Sequence, residues 1–151
     1  MDIFIQLITA FFGALGFSLF FHVSKNKLFM ASVGGLISWT CYIICSRLQL
    51  SDTISFFIAS AVSTIYAEFM ARKYKAPATV FIVPATIPMI PGGHLYQTFV
   101  YALQQDWKAF FQEGLVTLLL AVAISCGILF IMTIMKMFQK IKESNWNRRF
   151  I

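Results

Sequence analysis

The residues that could do chemistry crowd into one short stretch. From Ala76 to Tyr101 the chain reads A-P-A-T-V-F-I-V-P-A-T-I-P-M-I-P-G-G-H-L-Y-Q-T-F-V-Y, with no charged side chain and all four prolines of the sequence. Pro84, Pro88 and Pro91 each remove a backbone donor and crowd the preceding turn, so no regular helix can run through them. Gly92 and Gly93 follow at once, and glycine lets a ligand approach the backbone closely. A helix that restarts there presents free N–H groups and the positive end of its dipole, which can receive a carboxylate. Tyr96, Gln97 and Thr98 add polar groups within the next turn. The substrate-binding or pore candidates are therefore Pro88, Pro91, Gly92, Gly93, His94, Tyr96 and Thr98. The competing reading is a kink that only shapes packing. His94 fits equally a neutral, hydrogen-bonded histidine and a proton carrier.

Glu68 is read as the only carboxylate inside an apolar run, and acids at membrane depth are functional hypotheses by default. Arg72 stands four residues on, so the two can pair on one helix face. They are coupling or gate candidates, with a structural ion pair near the interface as the equal alternative. His22 is expected at an interface. Cys41 and Cys45 lie one helical turn apart, but no His, Asp or Glu stands near them. They read as small packing residues, and no metal site, disulfide framework or cofactor is expected. No nucleophile–base pair or cluster of acids with histidine is visible, so an enzyme is not expected.

These residues need elements to hold them, and the composition says which kind. Apolar residues make up 59% of 151 residues, charged residues 12%, and the mean hydropathy is +0.77. A soluble domain carries about 25% charged residues. A soluble enzyme, a disordered tail and a nucleic-acid binder are excluded, the last despite the net charge of +6. Charges cut the chain into runs long enough to cross a bilayer, which takes about 20 residues. The expected spans are 3–24, 28–46, 53–71, a broken 76–105 and 114–135, with a tail over 136–151 that extends the last helix. The fold class is thus an all-α integral membrane protein, one transmembrane domain of five helices, the fourth broken near mid-membrane. Pro77 to Pro91 rises roughly 21 Å as helix, which puts the break near or just past the midplane of an about 30 Å core.

Loop charge gives the orientation. If the proline stretch crosses once, ten of the 12 Lys and Arg residues fall on one side, and only Arg47 and Lys108 on the other. If it returns to its own side, the split is even. The positive-inside rule selects the first, with the N-terminus outside and a cytoplasmic C-terminus in the plasma (inner) membrane. Span 1 lacks the basic start of a cleavable signal and is expected to remain. Gly34, Gly35 and Ser38, then Ala59, Ser63 and Ala67, then Ala123 and Gly127, mark faces where helices can approach closely.

The motif residues then become familiar. Glu68, Ala71-Arg72, Pro77-Ala-Thr79-Val-Phe81, Pro84, Ile87-Pro88-Met-Ile-Pro91-Gly92-Gly93 and Tyr96 resemble the threonine/serine exporter family. The likeness is to the family's C-terminal-type half, which also occurs as a separate small membrane protein. The resemblance implies export of small amino acids or, in split forms, of a dicarboxylate such as succinate. It also implies a larger partner subunit that carries the other half. An odd number of spans supports this independently, because a second half would then be inverted, a common transporter architecture. The expected partners are membrane lipid, that larger exporter subunit or a homo-oligomer, and a small carboxylate-bearing metabolite. The alternative is an accessory or scaffold subunit with no transport path of its own.

Overall fold

The computed structural model describes residues 2–147, with the side chains of 139 and 142–147 left aside. The expected tail residues Arg148 and Arg149 lie outside that range. The described chain is helical throughout: α1 (Ile3–Phe20), α2 (Lys25–Arg47), α3 (Asp52–Lys73), α4 (Thr79–Thr86), a 3₁₀ turn at Ile87–Met89, α5 (Gly92–Leu103) and α6 (Trp107–Asn147). Four of these are long and apolar enough to cross a membrane: α1, α2, α3 and the Trp107–Phe138 part of α6. The protein is a multi-pass membrane protein. The stretch expected as the fourth, broken span is a compound of α4, the 3₁₀ turn and α5, neither helix long enough to cross alone.

Each of the four sharp connections closes in the same way. His22, Gln49, Lys75 and Gln105 have φ between 47° and 59°. In each case the next residue's N–H bonds back across the turn: Val23 to Ser18 O, Leu50 to Cys45 O, Ala76 to Ala71 O and Asp106 to Tyr101 O. This 6→1 closure satisfies carbonyls that a helix end would leave bare. Glycine is the usual residue at such a left-handed position, but here none is used. His22, expected at an interface, is one of these turn residues.

The glycines work at helix crossings instead. A Cβ on Gly35 would stand 2.5 Å from the Ala14 Cβ and 3.2 Å from Pro88 Cγ, and one on Gly34 would stand 2.9 Å from the Ala85 Cβ. These two residues let α2 touch both α1 and the broken helix. A Cβ on Gly127 would meet the Phe57 carbonyl at 2.6 Å and collide with the Ser60 hydroxyl, so α6 lies directly on α3. Ala59, Ser63, Ala67 and Ala123 are buried as the small-residue pattern requires. In lipid, where helices gain no hydrophobic drive toward each other, close backbone approach supplies the packing. The buried hydroxyls of Ser18, Ser32, Ser55, Ser60, Ser63 and Thr64 return to carbonyls one turn back.

Two apolar clusters position the break. Phe81 and Ile82 of α4 pack with Ala31, Ala67, Met70 and Ala71, and Met89 packs with Phe56, Ala59 and Leu120. α6 follows α3 in the same direction, with Ile128 and Met132 against the Ala67 and Met70 cluster and Leu120 beside Phe56. The segment α4–α5 therefore carries the chain from the Lys75 end of the bundle to the Asp106 end.

Candidate functional site

The break itself runs from Ile87 to Pro91. After the 3₁₀ turn, Ile90 becomes extended (ψ 124°) and Pro91 reaches ψ 62° before α5 begins at Gly92. The expected restart is thus met at the residue. The Ala85 carbonyl, in the last turn of α4 before the break, accepts a hydrogen bond from a neighbouring helix. The Ser38 hydroxyl lies 2.7 Å from the Ala85 carbonyl and 2.9 Å from its own helix at Gly35 O. In hydrocarbon a bare carbonyl is costly, so Ser38 is a structural partner of the break. Pro84, expected to interrupt the helix, is accommodated inside α4, and with Ala85 and Met89 it is fully buried, so the α4 side of the break faces the protein interior.

The glycine half does not. Gly92 and Gly93 are exposed, and a Cβ on either would meet nothing within 4 Å. Tyr96 is 66% exposed. The Gly92 N–H is folded back on Ile90 O at 2.6 Å, and the first regular bond of α5 is Leu95 N–H to Pro91 O at 3.0 Å. The amides of Gly93 and His94 fall between these, in the first turn, where helical donors have no intrahelical acceptor. The Thr98 hydroxyl is engaged, donating to His94 O at 2.8 Å. Among the described residues α5 buries no side chain. The expected cradle is therefore an open surface in the single chain.

His94 has a partner that the sequence reading missed. Its Nδ1 lies 2.9 Å from Glu113 Oε2, with the two side chains 39% and 31% exposed. The expected last span, 114–135, leaves Glu113 just outside it. In the structure α6 starts at Trp107, capped by Asp106, whose Oδ1 accepts the Ala109 N–H at 3.1 Å. Glu113 consequently sits six residues, roughly 9 Å, inside α6. The legible signal was the N-cap aspartate before Trp-Lys-Ala-Phe, which marks a helix start.

Glu68 and Arg72 lie apart from this, near the Lys75 end of α3. They pair at 3.8 Å as i, i+4 neighbours, with Glu68 buried and Arg72 half exposed.

Cavities flank the break on both sides. One, of about 710 Å³, is lined by Gln6, Thr9, Trp39, Tyr42, Ser46 and Arg47 and reaches Pro88. Its walls are tied together: the Trp39 indole donates to Gln6 Oε1 at 3.3 Å, and the Tyr42 hydroxyl reaches Asp52 at 3.5 Å. The second, of about 310 Å³, lies between Pro91 and Leu95 on one side and Thr117, Ala121 and Ser125 of α6 on the other. Nothing in the sequence marked the first one, since its residues come from three separated elements.

Comparison with known proteins gives the context. The family model described as "Threonine/Serine exporter, ThrE" matches residues 6–134. An "Uncharacterized protein" of Haemophilus influenzae (strain ATCC 51907 / DSM 11121 / KW20 / Rd) is 25% identical over 99 residues, which cover 66% of this chain and 33% of that protein. The chain thus spans well under half the length of this curated relative. No solved structure matches it.

Proposed function

The chain belongs to the threonine/serine exporter family, and from that premise we propose that it is one half of a secondary exporter whose substrate passes the break at Pro88–Gly93. The observation that carries this is the two-sided character of the break. One side is buried and tied to Ser38, while Gly92, Gly93 and Tyr96 are uncovered. Irregular backbone at membrane depth is tolerated only against protein or a wet cavity. A second surface is therefore needed over the glycines. A larger subunit carrying an inverted second half supplies one, and a second copy of this chain would be the substitute.

The first-turn amides of α5 then offer donors to a carboxylate, as broken helices do in other transporters. Pro88, Pro91, His94, Tyr96 and Thr98 surround that point. Arg47 at the rim of the larger cavity adds a positive charge on the same path. Small amino acids of the threonine/serine type fit this chemistry, and a dicarboxylate such as succinate is the alternative cargo. Five crossings, an outer N-terminus, a cytoplasmic C-terminus and residence in the plasma membrane complete the reading. Glu68 and Arg72 then form a gate at the cytoplasmic mouth.

Efflux of serine, threonine and succinate from cells with and without the partner subunit tests it, with Gly93→Leu as the site variant. The open space at Gly93 accommodates the side chain within this chain, so Gly93→Leu should insert normally and abolish efflux. Wild-type efflux from Gly93→Leu would make the break a kink, and the chain an accessory subunit.

A further inference from the structure

We propose that the cavity between α1 and α2 binds one small zwitterionic amino acid, with its carboxylate on Arg47 and its ammonium against the rings of Trp39 and Tyr42. Calling that ligand cargo rests on the exporter reading; the binding itself does not. The cavity is built from one face of each helix. Trp39, Ile43 and Arg47 stand at four-residue steps on α2, with Tyr42 and Ser46 beside them. Gln6 and Ala10 stand one such step apart on α1, next to Thr9. Residues so spaced share a helix face. Pro88 lies at the inner end, where a Cβ on Gly35 would be 3.2 Å from its Cγ. Between Gly35 and Arg47 the helix rises roughly 18 Å, so the cavity runs from the break to the end of α2. Its volume of about 710 Å³ falls within the about 300–1,000 Å³ of small-molecule sites.

Charge selects the ligand. Among the described residues Arg47 is the one charged group in the cavity wall. The ion pairs among those residues are Arg72–Glu68 and His94–Glu113, so no acid answers Arg47. The acids at this end of the bundle stay off the wall: Asp2 precedes α1, Asp52 reaches the Tyr42 hydroxyl at 3.5 Å, and Asp106 caps α6. A guanidinium takes a carboxylate through two parallel N–H bonds. A second carboxylate in the cavity would have no cation, and an unpaired desolvated charge is costly. The wall therefore disfavours a dicarboxylate. An ammonium beside the first carboxylate meets aromatic faces instead, which attract it. The Trp39 and Tyr42 ring centroids lie 5.0 Å apart, and Tyr42 rests in turn on Phe56 at 4.7 Å, so both rings are held in place. Tyr42 lies roughly 7.5 Å along the helix from Arg47, a distance the long Arg47 side chain can bend back across.

The deeper wall suits a small solute. The Thr9 hydroxyl donates to Ile5 O or Gln6 O, at 2.9 Å from each, which leaves its oxygen able to accept. The Trp39 indole donates to Gln6 Oε1 at 3.3 Å, which orients both side chains. An anion beside an ammonium also occurs in the headgroup of phosphatidylethanolamine, the competing source of the same chemistry. A lipid held by Arg47 would lay its acyl chains on Gln6 and Thr9, which lie deeper than Arg47. Those polar groups favour the free amino acid.

Trp39 reports on the site. The full chain, with Trp107 and Trp146 replaced by phenylalanine, is titrated with serine in maltoside detergent, which carries neither charge. Serine should change the Trp39 fluorescence saturably. Serinamide lacks the carboxylate and N-acetylserine lacks the ammonium, so each should need about tenfold higher concentrations. Succinate should give no change. Arg47→Gln should raise the serine midpoint about tenfold and leave that of serinamide where it is. Arg47→Lys, a point charge without the fork, should fall between. Arg47 is exposed, so both variants should unfold at the parent temperature. Absence of a saturable serine response, an equal response to succinate, or a serine midpoint unmoved in folded Arg47→Gln and Arg47→Lys would overturn the site. The titration is repeated in nanodiscs containing phosphatidylethanolamine. A response that vanishes there, with lipid retained by the parent chain and shed by Arg47→Gln, would give the cavity to the headgroup and overturn the amino-acid site. Serine efflux is scored separately in cells containing the proposed partner. Binding without efflux would sink the exporter reading and spare the site, and efflux without binding would do the reverse.

Discussion

Single residues near the break fall into those the fold needs and those it leaves open. Ser38 is of the first kind. Replacing it with alanine leaves the buried Ala85 carbonyl without its donor, which costs about 1–3 kcal/mol. Thermal unfolding in detergent should show Ser38→Ala clearly less stable, while the exposed backbone at Gly92–Gly93 is not directly touched. Gly35 is also of this kind, since the Ala14 Cβ would lie 2.5 Å from a new Cβ. Gly35→Val should cost roughly 1–3 kcal/mol by overpacking. Gly92→Leu, with nothing within 4 Å, should unfold at the wild-type temperature. The sequence separates the two, Gly35 by its small-residue neighbours and Gly92 by the prolines before it, and the structure adds how much room each one has. Glu68→Gln removes an i, i+4 pair with a half-exposed partner, worth about 0.3–0.5 kcal/mol. Stability should hardly move, so slowed efflux in that variant would report a gating role, and unchanged efflux a structural pair.

At the level of elements, the broken helix decides the topology. If α4 and α5 together cross the membrane, the loops at Lys75 and Asp106 lie on opposite faces. Single cysteines placed at those two positions should react with a membrane-impermeant maleimide from opposite sides, Lys75→Cys from the cytoplasm and Asp106→Cys from outside. Labelling of both from one side would sink the single crossing and with it the N-out, C-in orientation. The α3–α6 crossing makes a second test. Gly127→Leu must displace Ser60 and the Phe57 carbonyl, so α6 should separate from α3 and the chain should become protease-sensitive.

For the whole molecule, the open glycine surface motivates the half-exporter proposal. On that proposal the chain reconstituted alone should transport poorly, and co-reconstitution with the proposed larger subunit should restore efflux. Full efflux from a purified single subunit that sediments as a monomer would contradict the half-exporter reading. A dimer with full activity would favour a second copy over the glycines.

Hydropathy and loop charge by themselves determined the helical membrane class and the positions of α1, α2 and α3, while α6 begins at Trp107, ahead of the expected Gly114. A 20-residue apolar run has few other stable fates in lipid. The proline and glycine pattern also placed the break, because missing donors are a local property of the chain. The small-residue spacing marked the crossing faces of α2, α3 and α6 for the same reason. Only the tertiary structure decided what the break touches. Ser38 and Ala85 are 47 residues apart, and His94 meets Glu113 across two helices. Those pairings depend on how the helices are rotated and offset against one another, which side-chain packing between distant segments sets and no local pattern encodes.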